Sequence, residues 1–401
     1  MSRLEELIAE LCPDGVEYRD LYKVCETITT GKLNANAMVE DGKYLFFTCD
    51  ATPYRINEYA FDTEAILVSG NGSQVGHINY CNGKFNAYQR TYVMCDFIDV
   101  EVNYLLHFLK GSLRKYIFLH SKKGSVPYIT LPMLQSFKIP LPPLPVQREI
   151  VRILDNFTEL TAELTAELTA RKKQYEYYRD ELLTFNDTGD IIAGQTARQR
   201  QRVRWVKLGE IAALITKGTT PKTFTNSGIN FVKLESFENS KINPEKFAFI
   251  SIETHGKELK RSILAANDIL FAIAGATIGK CAMVDENILP ANTNQALAIV
   301  RLCENVNIRF VFYYMQTTAM TEYIAKFNKT SAQPNLNLQQ MSDFPLPLPT
   351  LEEQARIVAI LDKFEALTTD ITAGLPAEIA ARQKQYEYYR DKLLTFKERV
   401  A

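Results

Sequence analysis

The sequence predicts an α+β protein built as a duplicated unit, in which two similar globular domains are each followed by a long helix. An octet, KQYEYYRD, occurs at Lys173–Asp180 and again at Lys384–Asp391, 211 residues later. Each octet ends a long segment whose apolar residues recur every three or four positions, the helical period. A proline-leucine stretch precedes each of these segments. The sequence therefore predicts two copies of the same arrangement: a domain, a proline-rich link and a long helix.

Weaker similarities extend the duplication upstream of the octets. Ile150–Phe157 (IVRILDNF) matches Ile357–Phe364 (IVAILDKF), and Ile66–Gly76 (ILVSGNGSQVG) resembles Ile269–Gly279 (ILFAIAGATIG). We place a first domain at 1–145, the first long helix and a linker at 146–199, a second domain at 200–350 and the second long helix at 351–401.

The first long helix is predicted over 146–185, where no glycine or proline occurs. About 40 residues at 1.5 Å each give a rod of roughly 60 Å. The second runs from about Leu351 to Phe396, and Gly374 with Pro376 predicts a break inside it.

A narrow apolar stripe on so long a rod needs a partner, and the other rod of the same chain is the nearest one. The alternative, two independent surface helices each lying on its own domain, stays open. Thr161–Leu164 and Thr165–Leu168 repeat the unit TAEL, which would adjust the length of the rod while the apolar face is kept. The equal alternative is that the unit is simply good helix-forming sequence. The residues predicted to form the helix–helix and subunit interface are Phe157, Leu160, Leu164, Leu168, Tyr175, Tyr178, Leu182, Phe364, Leu367, Tyr386, Tyr389 and Leu393.

Composition excludes several classes of protein. Of 401 residues, 46% are apolar and 23% charged, with 18 glycines and 16 prolines, so long disordered or fibrous stretches are not expected. Met1–Leu11 is charged and amphipathic, unlike a secretory signal, and we expect no membrane span. Seven scattered cysteines without a CxxC pair are typical of a reducing cytoplasm and argue against structural zinc.

The formal net charge of −1 conceals one basic region. Residues 1–145, 146–199 and 351–401 carry −2, −3 and −1, whereas residues 200–350 carry +5. A local basic region keeps a nucleic-acid partner possible despite the neutral total.

Catalytic signatures are absent from the sequence. Gly275–Cys281 (GATIGKC) falls one residue short of a phosphate-binding loop and has Cys where Ser or Thr should hold magnesium; we interpret it as a tight turn after a buried strand. The histidines show no metal-binding spacing, and Glu258-Leu259-Lys260 is interpreted as a solvated face rather than a nuclease element. We expect no catalytic residue, no metal and no cofactor bound by this chain.

Binding signals recur at matching places in both copies. Loops rich in hydroxyls and lysines suit phosphate oxygens, and the amides and guanidinium that follow suit base edges in a major groove. For any single residue an ordinary surface loop remains an equal alternative. The candidate DNA-binding residues are Thr30, Lys32, Asn34, Asn86, Gln89, Arg90, Lys122, Lys123 and Ser125 in the first copy, and Lys217, Thr219, Thr220, Lys222, Asn292, Asn294, Gln295, Lys329, Ser331 and Gln333 in the second.

The paired proline links, the LD(N/K)F segments and the KQYEYYRD octets resemble the specificity subunit of a type I restriction–modification enzyme, and the TAEL units resemble one branch of that family. The resemblance covers essentially the whole chain. It implies two target-recognition domains of mixed α and β structure, held apart by two antiparallel helices that form a coiled-coil spacer.

The same resemblance implies a non-catalytic subunit that reads a bipartite double-stranded DNA target with an unread spacer of fixed length. It implies docking of two modification (methyltransferase) subunits and of restriction/translocase subunits, which would carry S-adenosylmethionine, ATP and magnesium. A duplicated protein-interaction scaffold is the alternative, and a nuclease in its own right is disfavoured by the missing carboxylate cluster.

Overall fold

The protein is described by a computed structural model, in which residues 3–120, 127–185, 203–238, 240–327, 335–369 and 374–399 are placed well enough to describe. The chain divides into two compact units. Unit 1 is Met1–Thr165 with Glu378–Ala401, and unit 2 is Ala166–Ala377. The division cuts through the first long helix, so each unit contains a part of it.

The helices begin and end as follows: α1 (Arg3–Leu11), α2 (Val102–His120), α3 (Leu131–Gln135), α4 (Leu144–Leu183), α5 (Leu208–Ile211), α6 (Ile308–Tyr314), α7 (Thr318–Phe327), α8 (Leu338–Ser342), α9 (Leu351–Thr369) and α10 (Leu375–Leu393).

The strands of unit 1 are β1 (Glu17–Asp20), β2 (Cys25–Thr30), β3 (Tyr44–Phe47), β4 (Tyr54–Ile56), β5 (Phe61–Ser69), β6 (Ile78–Ala87), β7 (Thr91–Phe97) and β8 (Lys138–Leu141). Those of unit 2 are β9 (Arg204–Lys207), β10 (Ala212–Lys217), β11 (Ile229–Val232), β12 (Phe237–Glu238), β13 (Lys241–Ile242), β14 (Ala248–Ile250), β15 (Ile269–Ala272), β16 (Cys281–Met283), β17 (Ala291–Thr293), β18 (Leu297–Leu302) and β19 (Pro345–Leu348).

The two units share one topology. Unit 1 has a six-stranded sheet in the order β2-β7-β5-β6-β3-β4, in which only the β3–β6 pair is parallel. In unit 2 the same path is split into β10-β18-β15-β16 and β14-β11-β17, with the β11–β17 pair parallel. The long strand β6 thus corresponds to β16 and β17 together. A small sheet also closes each unit, β1–β8 in one and β9–β19 in the other.

Alternating side chains of the central strand build the core on both faces of each sheet. In β5, Ile66 and Val68 join the cluster that contains α2 and α4, whereas Ala65 and Leu67 join a cluster on the other face around Phe85. In unit 2, alternate residues of β15 divide in the same way between two clusters. The mixed α and β structure predicted for both domains is therefore confirmed.

The long helical segments form as the sequence predicts. Helix α4 is a continuous helix of 40 residues, which corresponds to roughly 60 Å. Pro145 lies in its first turn, where a missing N–H costs nothing. The second segment breaks where Gly374 and Pro376 predict it: α9 ends at Thr369, Gly374 lies in a bend, and α10 begins at Leu375.

Each unit pairs a piece of α4 with a piece of the second segment. In unit 1 the rings of Phe157 and Tyr389 stack with centroids 5.3 Å apart. Ile153, one turn before Phe157, lines a cavity with Leu393 and Phe396, which follow Tyr389, so these two helices run antiparallel. In unit 2, Tyr178 of α4 stacks on Phe364 of α9 at 5.8 Å. The predicted mutual contact of the long helices is confirmed within each unit.

A buried polar network fixes the helix pair to the domain of unit 1. His107 of α2 is 4% exposed and lies between the two long helices. Its Nε2–H donates to Asp155 Oδ1 of α4 (2.8 Å), and its Nδ1 accepts from the Tyr386 hydroxyl of α10 (2.9 Å). This assignment is the one neutral tautomer that satisfies both partners.

Unit 2 builds the corresponding junction with other side chains. The Tyr313 hydroxyl of α6 lies 2.6 Å from Asp362 Oδ1 and 2.8 Å from Glu365 Oε2 of α9. Arg309 forms ion pairs with the same two carboxylates, at 2.7 and 2.8 Å. Burial and the nearby Glu365 carboxylate raise the pKa of Tyr313, so its hydroxyl remains a donor.

We predict that protonation of His107 destabilises the protein in mild acid. Burial lowers the pKa of His107, and this outweighs the opposing effect of the hydrogen bond to Asp155 and the proximity of its charge; Lys110 and Arg390 lower the pKa further. The unfolded chain then binds more protons as pH falls below about 6.5, so the free energy of unfolding decreases from there through the folded-state pKa. Chemical denaturation between pH 7.5 and 5 measures this.

The variant His107→Gln should show a flatter pH dependence than the wild type over that range. His120→Gln is the matched control, because His120 is exposed at the end of the same helix. Identical pH dependence of the wild type and His107→Gln would contradict the assignment.

Candidate nucleic-acid interface

Two of the predicted loops of unit 1 are joined side by side at one end of the sheet. The loop after β2 (residues 31–34) lies against the turn between β6 and β7 (residues 88–90). The Gln89 N–H donates to Leu33 O at 2.9 Å, and Gln89 Nε2 donates to Asn34 Oδ1 at 2.8 Å. Sequence reasoning selected both segments separately, and the sheet topology brings them together.

Unit 2 repeats this arrangement at the matching place. The loop after β10 lies against the turn between β17 and β18: Gly218 N–H donates to Leu297 O (3.1 Å) and Thr219 N–H to Thr293 O (3.0 Å). The Thr220 hydroxyl donates to the side-chain oxygen of Gln295. A glutamine of the turn therefore holds the loop in both units.

Glycines at equivalent positions allow the close approach of loop and turn. A Cβ atom on Gly31 would lie 1.8 Å from Ala87 O, and one on Gly218 would lie 2.1 Å from Asn294 O. These contacts are with backbone atoms, which cannot rotate away. Any larger residue at either position must push the loop off the turn.

A third segment completes the site in unit 1. A cavity of about 350 Å³ is lined by Thr30, Gln89 and Arg90 together with Asn71 and Tyr128. Asn71 and Tyr128 pair through an isolated β-bridge, and Ile129 N–H donates to Gly70 O at 3.0 Å. Unit 2 has the same bridge between Ala274 and Asn335. Residues 127–129 and 335–336, which follow the predicted lysine loops, thus lie against the segments that follow β5 in unit 1 and β15 in unit 2.

The predicted residues themselves fall into three groups. Residues 122, 123, 125, 329, 331 and 333 lie outside the described part of the chain. Most of the others present their side chains to solvent, Thr30 and Asn294 being half-buried. The exposed ones are Lys32, Asn34, Gln89, Arg90, Lys217, Thr219, Thr220, Lys222 and Gln295.

The third group is buried, and its role differs from the prediction. Asn86 is 5% exposed and Asn292 is fully buried. Asn86 Nδ2 donates to Glu58 O (3.2 Å), while its Oδ1 accepts from Ala87 N–H (2.9 Å). Asn292 Nδ2 donates to Leu259 O (3.0 Å). Both amides are buried and hold neighbouring backbone, so they are not accessible to a base edge, and we remove both from the candidate DNA-binding residues.

Asn71 and Tyr128 were missed by sequence reasoning. Tyr128 is 46% exposed and lines the cavity. Tyr92 lies beside them; burial raises the pKa of Tyr92, and its hydroxyl donates to Ile129 O (3.1 Å). A usable signal existed for Asn71, since it directly precedes residues 72–77, which match Gly275–Lys280 in the second copy. Tyr128 had none, because its position depends on a bridge between distant segments.

The residues predicted to form the helix–helix interface differ in how deeply they are buried. Tyr386 is buried, and Tyr389 and Leu393 pack on the core of unit 1, as Tyr175 and Leu182 do in unit 2. Leu160, Leu164 and Leu168 are half-buried, whereas Leu367 is 55% exposed. Leu367 is not part of the core cluster of unit 2, although its neighbour Thr368 is buried.

The chemistry available at this site is binding chemistry. It offers amides, hydroxyls and lysines in both units, and one guanidinium, that of Arg90 in unit 1. Within the residues that the structure describes, no group of three or more His, Cys, Asp or Glu side chains could hold a metal ion. None of the described helices is long and apolar enough to cross a membrane.

Comparison with known families identifies this architecture. The model of the type I restriction modification DNA specificity domain matches the chain twice, at residues 13–171 and 202–381. The chain belongs to the type I restriction–modification specificity family. The two matches confirm the duplication, and specificity subunits are the non-catalytic members of such systems, as the sequence predicts.

Relatives in the specificity family align over most of the chain. A putative type I restriction enzyme specificity subunit of Haemophilus influenzae is 31% identical over 396 residues, covering 95% of this chain and 96% of that one. The EcoR124I/EcoR124II specificity subunit of Escherichia coli is 37% identical over 283 residues, or 65% of this chain and 63% of that subunit.

Solved structures of the family share the fold. A chain described under "Structural basis underlying complex assembly and conformational transition of the type I R-M system" has a TM-score of 0.59 and 18% identity, covering 95% of this chain and 98% of that one. The S subunit from M. genitalium has a TM-score of 0.50 and 14% identity, with coverages of 95% and 96%.

We predict that the loop–turn contact is required for reading. Gly218→Ala should lift the loop from its turn and weaken binding of the preferred duplex by roughly 1–3 kcal/mol, the typical loss for a base-reading group. Gly31→Ala should do the same for the first copy. Fluorescence anisotropy, with the modification subunit present, measures the affinity.

The two variants control for each other. Gly218→Ala should relax discrimination at one half of the target only, and Gly31→Ala at the other half. Loss of discrimination at both halves in either variant would indicate a general folding defect instead.

Proposed function

We propose that this chain is the DNA-specificity subunit of a type I restriction–modification complex, which reads a bipartite double-stranded target. The observation that carries the proposal is the paired loop-and-turn site, present once in each unit and closed by Gln89 in one and Gln295 in the other. The two sites have the same backbone arrangement but different side chains, which suits recognition of two half-sites of different sequence.

The side chains divide between positioning and reading. Lys32, Lys217 and Lys222 are exposed cations that suit phosphate oxygens, which fix the register of a protein on DNA. The exposed amides of Gln89 and Gln295 carry a donor and an acceptor each, and the exposed guanidinium of Arg90 carries donors, which are the groups that base edges recognise. The chain itself selects the sequence and performs no chemistry.

The partners follow from the same role. Two modification subunits would dock on the two quasi-equivalent copies, and restriction/translocase subunits would join the larger complex. S-adenosylmethionine, ATP and magnesium would be bound by those partners. A complex that acts on cellular DNA, with a chain of scattered unpaired thiols, belongs in the cytoplasm.

The test is affinity as a function of salt and sequence. The complex of this chain with its modification subunit should prefer a target duplex, identified from methylated sites in host DNA, and log affinity should fall linearly with log salt. Replacing Lys32, Lys217 and Lys222 by alanine should weaken binding of all duplexes and reduce the salt slope by up to about 3. If the chain were instead a protein-interaction scaffold, the alanine variant would keep its protein assemblies and its affinity for DNA would not change. Equal affinity of the wild-type complex for every duplex would refute the proposal.

A second prediction concerns the spacer. Inserting one further Thr-Ala-Glu-Leu unit after Leu168 adds about 6 Å of helix, which lies between one and two base-pair steps of about 3.4 Å. The unread spacer of the methylated target should therefore lengthen by one or two base pairs. The same four residues inserted after Gly189, in the linker predicted from the sequence, should leave the spacer unchanged. An unaltered spacer in both variants would reject a ruler role for the helix.

A further inference from the structure

A buried asparagine anchors a different connection in each unit. In unit 1, Asn86 holds Glu58 O, in the connection of residues 57–60 between β4 and β5. In unit 2, the corresponding Asn292 holds Leu259 O, in the connection of residues 251–268 between β14 and β15. The anchoring point is the same, but the held segment is much longer in unit 2.

The charge of the held segment also differs. Residues 57–60 carry one charged side chain, that of Glu58. The residues at 254–261, which we name the basic turn, carry Lys257, Lys260 and Arg261 against Glu258. Lys257 is paired with Glu253 at 2.9 Å. Lys260 and Arg261 are exposed, and neither has an ion pair among the described residues.

Asn292 fixes the basic turn from two sides. Besides the bond to Leu259 O, its Nδ2 donates to Ser262 Oγ (3.3 Å), and its Oδ1 accepts from His255 Nδ1 (2.5 Å). Ser262 is itself buried and donates to Leu259 O (3.1 Å). The turn is thus held by its buried side, and its cations point outward from a defined backbone.

The basic turn is anchored to the segment that also holds the loop after β10. Asn292, which holds the basic turn, and Gln295, which bonds to Thr220 of that loop, are three positions apart. Their Cα atoms are therefore at most about 11 Å apart. Because the basic turn and the loop belong to the same unit, phosphate contacts made by the basic turn would lie beside the half-site that this unit reads.

We infer that the basic turn of unit 2 is a DNA-backbone contact, made by Lys260 and Arg261, which has no counterpart in unit 1. It binds phosphates beside the second half-site and adds affinity without adding sequence information. This inference rests on the proposed function. It assigns to unit 2 a larger share of the salt-dependent affinity than unit 1 contributes.

The test compares the double variant Lys260→Ala/Arg261→Ala with the wild type, each assembled with the modification subunit. Affinities for the target and for a duplex altered in the second half-site are measured from 50 to 200 mM salt. The salt slope should become shallower by about 1.8, which corresponds to two lost phosphate contacts. From 50 to 200 mM salt, the affinity of the double variant should therefore fall by a factor roughly ten times smaller than that of the wild type. The ratio of the affinities for the two duplexes should stay unchanged.

Two matched variants separate charge at this site from other effects. Lys260→Arg/Arg261→Lys keeps both charges and should keep the wild-type slope. Arg204→Ala/Lys207→Ala removes two exposed cations from β9, upstream of the start of β10, and should also keep it. An unchanged slope in Lys260→Ala/Arg261→Ala, or an equal change in Arg204→Ala/Lys207→Ala, overturns the inference.

The two proposals fail in different ways. If the wild-type complex shows no preference for the target duplex, the proposed function fails whatever the variants do. If the wild type discriminates normally and the alanine variant keeps the wild-type salt slope, only the role of the basic turn fails.

Discussion

The structure depends on an exchange between the two copies of the repeat. In unit 1, Phe157 of the first copy stacks on Tyr389 of the second; in unit 2, Phe364 of the second copy stacks on Tyr178 of the first. Each copy thus completes the helix pair of the other. Part of each long helix packs on the domain that precedes it, and Phe157 and Phe364 farther along are covered by an octet tyrosine of the other copy. This explains why the LD(N/K)F segment and the KQYEYYRD octet recur together. The LD(N/K)F segment of each copy packs against the octet of the other copy.

The junctions of helix and domain show how one geometry tolerates different chemistry. An aspartate of the LDxF segment accepts a hydrogen bond from the domain in both units, from His107 in one and from Tyr313 in the other. Both donors are neutral, since burial disfavours the charged form of each. The aspartate acceptor is the same in both units, whereas the donor is a histidine in one and a tyrosine in the other. The junction therefore needs a neutral donor at this place and not one particular residue type.

The loop-and-turn sites likewise combine a common backbone with different side chains. Gly31 and Gly218 allow the same backbone approach in both units. The side chains on that backbone then differ: unit 1 offers one lysine and a cavity lined by amides and Tyr128, whereas unit 2 offers two lysines and the basic turn. Three of the basic residues behind the net charge of +5, Lys257, Lys260 and Arg261, lie in the basic turn. A common frame with unlike surfaces is what two unlike half-sites require.

The sequence by itself determined the duplication, the long helices and the break at Gly374, because helical periodicity, proline and glycine act locally along the chain. Only the tertiary structure decided which candidates face solvent. Asn86 and Asn292 match surface readers by residue type, yet the sheet places them where their amides hold a neighbouring turn. Tyr128 joins the site only through its bridge to Asn71. Burial and bridging depend on contacts between residues distant in sequence, and no local pattern encodes them.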